Sequence, residues 1–345
     1  MKFLDLFAGI GGIRLGLEAN GHECVGYVEK DTFARQSYQA IHNTENEWTR
    51  EDITKVTDAE FAELKDNVDM IVGGPPCQAF SISGKRLGFA DETRGTLFFD
   101  MLRAVKQIQP KYMLMENVKG LVNHDGGNTF DVMLRAIEEL GYTPDYTVLN
   151  SKYFGVAQNR ERIFIVAVRN DIPFEPFMEN LKRENTTVTQ HLIDVLCNEN
   201  LPLFVTQNDR TDALVNKVKD NEFDFERVDK LVTVGHTGRT KHNSTKVYWR
   251  YGIAPTLTAR DFKGPKQIVD TVENEPKVRK LTPLEYWRLQ GFKDDQFRRA
   301  SEVVSKSQLY KQAGNSVSVP VIAAIVGKIN EVDALLENSK IKRAV

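Results

Sequence analysis

Lys2-Phe3-Leu4-Asp5-Leu6-Phe7-Ala8-Gly9-Ile10-Gly11-Gly12 decides how the chain is to be read. Residues 2–7 form a short apolar strand, and the glycines that follow close it in a tight turn. Residues 13–19 then read as a helix, ended by Asn20-Gly21, a pair suited to a helix C-terminus. Glycines between a strand and a helix let the backbone approach a ligand, and the helix N-terminus offers free N–H groups at the same point. A second strand follows at 23–28. Strand and helix candidates keep alternating at 31–41, 58–64, 68–72, 96–108, 111–115, 129–140, 146–149 and 162–168. Such alternation predicts an α/β fold, with a mostly parallel sheet and helices on both faces.

The pattern changes after about residue 170. Periodicity is poor from there to about residue 267, where a second, smaller domain is expected. Leu281-Thr282-Pro283 restarts helix, with Thr282 as N-cap and Pro283 in the first turn, and residues 321–336 form a last helix with one apolar face. A length of 345 residues accommodates two domains, and 41% hydrophobic content is ample for a core. No run of about 18 apolar residues exists, so no membrane span is expected. The N-terminal strand carries an acid and does not read as a secretory signal. Three cysteines (Cys24, Cys77, Cys197) are too few and too scattered for a disulfide framework or a Cys-rich zinc site. A reducing, cytoplasmic compartment is expected, with no metal.

Four segments carry chemistry. The glycine turn is followed by Glu29, which closes the next strand and could hold two ribose hydroxyls. Asp52-Ile53 lies at the next such position and could touch an adenine. This layout suits a nucleotide-type cofactor, NAD included, because the G-x-G-G run is weakly specific. The apolar segment 68–72 runs into Gly73-Gly74-Pro75-Pro76-Cys77-Gln78, where prolines stop the strand and fix a lone thiol at its end. Strand ends are where α/β proteins place chemistry. Met115-Glu116-Asn117-Val118 puts a carboxylate at the same edge. Gln158-Asn159-Arg160-Glu161-Arg162 supplies two arginines at alternate positions of a strand, which would share a face.

In this order, together with Arg279 to Phe292 and Gln312-Ala313-Gly314-Asn315-Ser316-Val317, these segments resemble the DNA (cytosine-5) methyltransferases of bacterial restriction–modification systems, nearly end to end. The resemblance implies a Rossmann-like sheet that binds S-adenosylmethionine, giving S-adenosylhomocysteine as product, and a smaller, irregular target-recognition domain. It implies catalytic and cofactor functions in 1–188, target recognition in 189–275, a hinge over 276–312 and a return to the catalytic domain in 313–345. It assigns the cofactor to Phe7, Gly9, Gly11, Glu29, Asp52, Ile53, Pro76, Leu97, Asn315 and Ser316. Lys30 departs from the family pattern: relatives often carry an apolar or aromatic side chain there, beside the ribose.

The implied chemistry is methyl transfer to C5 of a cytosine extruded from double-stranded DNA. Cys77 adds to C6, Glu116 acts at N3 and the exocyclic amine, and Arg162 fixes the pyrimidine carbonyl. Arg160 or Arg162 would favour the Cys77 thiolate. The base that removes the C5 proton is not identified by the sequence. Residues 81–89, with Ser83 and Lys85, suit a lid that closes on DNA, and Arg94 beyond them is a further DNA contact.

A net charge of −2 argues against a nucleic-acid partner until its distribution is considered. Residues 230–267 hold eight lysines and arginines against one acid, Asp261. This is a footprint of phosphate contact. Within it Arg239, Asn243, Lys246 and Arg250 are the candidate base readers, with Thr256 at a phosphate, and Arg260–Lys266 as the fallback. A cognate restriction endonuclease acting separately is a candidate partner, and a monomer is expected. Two alternatives remain open: a tRNA cytosine-5 methyltransferase of the same fold, and a catalytically dead, sequence-specific DNA-binding regulator.

Overall fold

The computed structural model describes residues 1–76, 97–197, 205–219, 226–239, 242–272 and 275–344. The chain divides into two compact units. The first comprises Met1–Leu149, Glu161–Asn185 and Val321–Val345; the second comprises Asn150–Arg160 and Thr186–Pro320. Among the described residues, no helix is long and apolar enough to cross a membrane.

The first unit opens with β1 (Lys2–Leu6), α1 (Gly12–Glu18), β2 (Glu23–Val28), α2 (Thr32–Ile41) and β3 (Trp48–Arg50). It continues through α3 (Asp58–Ala62), β4 (Met70–Gly73), α4 (Leu97–Ile108), β5 (Tyr112–Val118), α5 (Asn128–Glu139) and β6 (Tyr142–Asn150). After β7 (Gln158–Asn159), which lies in the second unit, β8 (Glu161–Arg169) and α6 (Met178–Glu184) return to the first. The sheet order is β3-β2-β1-β4-β5-β8-β6. β1 to β5 are parallel to their neighbours and β8 is antiparallel to β5, so the expected α/β sheet is present.

The central strands are buried on both faces, as parallel strands covered by helices must be. Phe3, Leu4, Leu6, Ile71, Val72, Met113 and Leu114 are fully buried, and α4 packs Met101, Leu102 and Val105 into the core. The helices start where local chemistry allows. The Asp31 carboxylate accepts from the Phe33 and Ala34 N–H groups to cap α2, and Thr57 and Glu60 form a reciprocal capping box on α3.

The register matters most for function. Leu6 is paired with Val28 and with Gly73, Val28 with Arg50, and Gly73 with Met115. The next residue of each strand or loop therefore falls in one row along the C-terminal edge: Phe7, Glu29, Gly74 and Glu116, with Asp52 two residues beyond β3. Ligands of open α/β sheets bind outside this edge.

The second unit contains α7 (Leu192–Val195), α8 (Asp209–Lys219), β9 (Thr233–His236), β10 (Lys246–Trp249), β11 (Ala254–Pro255), β12 (Gln267–Val272) and β13 (Glu275–Lys280). α9 (Pro283–Arg288), α10 (Asp294–Ser301) and α11 (Lys306–Asn315) follow, and α12 (Val319–Ala344) passes from the second unit into the first. Its sheet runs β13-β12-β10-β9, closed over Leu214, Val234, Val247, Trp249, Val269 and Val278. Thr282 caps α9 through a box with Glu285, with Pro283 in the first turn, as its sequence predicts.

Candidate active site

At the end of β1 the backbone turns sharply. Phe7, Gly9 and Gly11 adopt φ of 57°, 57° and 83°. For Phe7 this is a strained conformation that a non-glycine residue rarely keeps away from a functional turn. At Gly11 a Cβ would lie 2.1 Å from His42 Nε2, so the loop packs directly on α2's end. At Gly9 a Cβ would meet nothing within 4 Å, so this side of the loop faces open space. Glu29 ties the turn to the next one, accepting the Gly9 N–H at 2.8 Å on one oxygen and the Asp31 N–H at 2.6 Å on the other. A carboxylate has about four acceptor sites, so two remain for a ligand's hydroxyls.

Asp52 accepts from the Thr54 N–H at 3.1 Å and hydroxyl at 2.8 Å, and its other oxygen pairs with Lys30 Nζ at 2.8 Å. The Lys30 ammonium, then Thr54, hold this carboxyl low, at about 2. Lys30, where relatives often carry an apolar or aromatic side chain, thus engages Asp52, which the resemblance assigns to the same cofactor. Ile53 is buried beside it, Leu97 packs half-buried at the start of α4, and Pro76 is exposed.

Glu116 and Arg162 meet across the antiparallel pair. Val118 stands opposite Arg162 in the register, and Arg162 Nε lies 2.9 Å from Glu116 Oε1, each side chain about one-sixth exposed (16% and 17%). The other carboxylate oxygen lies 3.2 Å from where a Cβ on Gly74 would sit, which is why glycine suits that position. Asn117 Nδ2 donates to the Pro75 carbonyl at 2.9 Å, anchoring the proline segment that leads to Cys77. Sequence alone assigns Asn117 no role beyond its place in the Glu-Asn-Val motif. Cys77 itself, with Ser83, Lys85 and Arg94, lies outside the described residues.

Arg160 departs from expectation. It precedes β8 in the second unit, so it does not share a strand face with Arg162. It is buried, and its guanidinium donates to the carbonyls of Leu257 (3.0 Å), Gly314 (3.3 Å) and Ser316 (2.7 Å). Gln158 does similar work, donating to the Leu289 carbonyl at 2.9 Å and accepting the Leu257 N–H at 3.0 Å. Gly314 is needed there because a Cβ would lie 2.2 Å from the Thr258 carbonyl carbon. Asn315 ends α11, exposed, and Ser316 caps it, both in the second unit.

Beneath the glycine turn lies a buried polar network that periodicity alone does not reveal, although an Asp inside an apolar strand is a signal. Asp5 is fully buried and accepts from the Tyr38 hydroxyl at 3.3 Å. Tyr38 in turn accepts from Arg14 at 3.3 Å, and Arg14 pairs with Glu47 at 2.8 Å and Glu18 at 2.6 Å. Burial pushes Asp5 up to about 8, against the opposing pull of Arg14. A carboxyl whose folded pKa is raised binds its proton more tightly in the folded state. Its stabilising contribution is therefore complete below the unfolded value near 4 and is lost as pH rises towards 8. Asp5→Asn should flatten that fall, gaining on wild type in melting temperature across pH 4 to 8. A variant that loses stability equally at every pH would contradict this.

The candidate DNA readers are spread over the second unit. Arg239 is exposed after β9, Asn243 is exposed in a 3₁₀ turn over Asn243–Thr245, and Lys246 opens β10. Arg250 is engaged by Asp270 and by the Thr271 hydroxyl. Thr256 donates to the Asn159 carbonyl at 2.6 Å.

Comparison with known proteins agrees with this geometry. The family model for C-5 cytosine-specific DNA methylase matches residues 1–331. The type II methyltransferase M.HhaI of Haemophilus parahaemolyticus is 37% identical over 330 residues, covering 95% of this chain and 94% of its own. The orphan methyltransferase M.SPRI of Bacillus phage SPR is 31% identical, covering 94% and 96% respectively. The crystal structure of S. pombe Dnmt2 methyltransferase superposes with a TM-score of 0.67 at 18% identity, covering 96% of this chain and 98% of that one, and shares the fold. With a glycine turn, a Gly-Gly-Pro-Pro segment and a Glu–Arg pair along one sheet edge, and a family match spanning nearly its whole length, the chain belongs to the C-5 cytosine-specific DNA methylases and is a DNA (cytosine-5-)-methyltransferase.

Proposed function

We propose that this enzyme methylates C5 of a cytosine extruded from a specific site in double-stranded DNA, acting as a monomer in the cytoplasm and alongside a separately acting restriction endonuclease. The observation that carries the reading is the Glu116–Arg162 pair set against Gly74 and Pro75, two residues before Cys77 in the chain.

The residues present fit S-adenosylmethionine. Open space above Gly9, the unfilled acceptor sites of Glu29 and the Asp52 carboxylate beside buried Ile53 match a ribose diol and an adenine amine. Phe7, Gly11, Pro76, Leu97, Asn315 and Ser316 complete the proposed set. When bound, the cofactor supplies an electrophilic methyl group.

The chain's own residues make cytosine reactive. Addition of the Cys77 thiolate to C6 turns C5 into an enamine carbon, dividing one hard step into easier ones. Loss of the C5 proton and expulsion of the thiolate then restore the aromatic ring. Cys24 and Cys197 are poor substitutes. Burial pushes the Cys24 thiol up to about 12 and also raises Cys197, and the thiolate is the nucleophile.

Glu116 must carry a proton to donate to N3. Arg162 Nε, 2.9 Å from Glu116 Oε1, is the group proposed to hold the pyrimidine carbonyl. Arg160 serves as a positioning residue through the three carbonyls it holds.

Residues 189–275 act as the sequence reader, 276–312 as a hinge and 313–345 as the return to the catalytic domain. Removal of 189–272 should leave S-adenosylmethionine binding in place and abolish site selectivity. If grafting that segment onto a related enzyme left the recipient's target unchanged, the division would be wrong. Bisulfite sequencing of DNA from cells expressing the protein should show one methylated motif. Methyl transfer to tRNA but not to duplex DNA would contradict the reading.

A further inference from the structure

The adenine end of the proposed cofactor site rests on a short piece of chain. Asp52 and Ile53 follow the three-residue β3, and Ile53–Lys55 forms a single 3₁₀ turn. Hydrogen bonds in such a turn are poorer in geometry than those of an α-helix, so the turn does not hold its place unaided. Asp52 caps its start by accepting the Thr54 N–H, and Lys30 reaches Asp52 from solvent with its side chain 74% exposed. An ion pair that exposed contributes little.

Arg103 on α4 holds the turn from the other side. Its guanidinium donates to the carbonyl of Ile53 at 3.1 Å, where the turn begins, and to that of Val56 at 2.6 Å, where it ends. The same two nitrogens donate to Asp58 at 2.9 Å and to Asp100 at 3.1 Å. The guanidinium carbon lies 5.4 Å from the Phe61 ring centroid, which limits how the group can tilt. Ile53, Val56 and Phe61 are buried in the core of the first unit. α4 also begins with Leu97, a second apolar residue proposed for the cofactor, which packs against the same core. One helix thus carries Leu97 and, through Arg103, fixes Ile53. A lysine could replace the charge but not the planar fork that reaches two carbonyls and two carboxylates at once.

We infer that Arg103 is a positioning residue for S-adenosylmethionine. By clamping the carbonyls of Ile53 and Val56 to α4 it sets the spacing between Ile53 and Leu97, and so the slot that receives the adenine. It acts through the turn, not on the cofactor. This deepens the proposed function and rests on it. The two carbonyl contacts carry the effect; the ion pairs to Asp58 and Asp100 orient the guanidinium and are secondary.

The test is equilibrium binding of S-adenosylmethionine to the full chain by calorimetry, well below the melting temperature of each variant. Wild type is compared with Arg103→Ala, Arg103→Lys, Asp58→Asn and Asp100→Asn. Both Arg103 variants should raise the dissociation constant roughly tenfold, the lower end of what losing an outer support costs a metal site. The two Asn variants should bind nearly as wild type does. In methyl transfer to duplex DNA, the loss in the Arg103 variants should appear in KM for the cofactor, with kcat at saturating cofactor close to wild type. Should Arg103→Ala not fold, Arg103→Lys, which keeps a cation beside Asp58 and Asp100, carries the same comparison. An unchanged dissociation constant in a folded Arg103 variant overturns the inference alone and leaves Arg103 a stabilising contact. So does a loss in Asp58→Asn or Asp100→Asn as large as that in Arg103→Lys, because the ion pairs would then hold the turn. A wild-type protein that does not bind S-adenosylmethionine overturns both the inference and the functional reading.

Discussion

Glu116→Gln should lower the turnover number by roughly 10²–10⁴-fold, the contribution of a general acid–base group, while duplex DNA affinity stays close to wild type. The amide keeps the shape of the side chain at the end of β5 and can still accept from Arg162 Nε, now 2.9 Å away. It cannot cycle a proton to N3. The loss should therefore fall on the chemical step, with kcat reduced and binding preserved. A near-normal turnover number would make Glu116 structural, an anchor for Arg162 and the Gly74 loop. Single-turnover methyl transfer into duplex DNA, with DNA affinity measured in parallel, distinguishes the two.

Arg279→Ala should destabilise the protein by about 3–5 kcal/mol, the cost of leaving buried charges uncompensated. Arg279 is fully buried. Its guanidinium donates to Asp270 at 2.7 Å and to both oxygens of Glu285 at 2.7 and 2.9 Å, and Glu285 in turn accepts the Cys197 N–H at 2.9 Å. Removing the cation strands Glu285 on α9 and leaves Asp270 on β12 with Arg250 alone. Pairing the change with Glu285→Gln should recover part of the loss, because one stranded charge disappears. Urea unfolding followed by the fluorescence of Trp249 and Trp287, both buried in this unit, measures it. A loss below about 1 kcal/mol would place the network among interactions that merely break even.

Much of the first unit is legible in the chain because its signals are local. Apolar runs of four to six residues separated by helical spacing give β1, β2, β4, β5 and β8, and Thr282-Pro283 marks α9. The three-residue β3 is too short for any period to appear. In the second unit, β9 and β10 have four residues each, and their apolar positions make sense only once α8 covers them, so the sequence there reads as irregular. The active-site row was legible as motifs, but its alignment comes from register, which no single strand encodes. Arg160 shows the limit most clearly. Two arginines in one motif look alike in sequence, yet one faces Glu116 and the other is consumed by carbonyls about 97 to 156 residues away. Lys30 and Asp52, 22 positions apart by subtraction, become partners only when β2 and β3 pair.

The central claim is that Cys77 bonds covalently to cytosine C6. The most direct measurement incubates the protein with S-adenosylmethionine and duplex DNA carrying 5-fluorocytosine at the target, then denatures it. Fluorine cannot leave as a proton, so the intermediate is trapped. Wild type, Cys24→Ser and Cys197→Ser should each give a denaturation-resistant protein–DNA complex, and Cys77→Ser none. A complex that survives denaturation with Cys77→Ser would contradict the account.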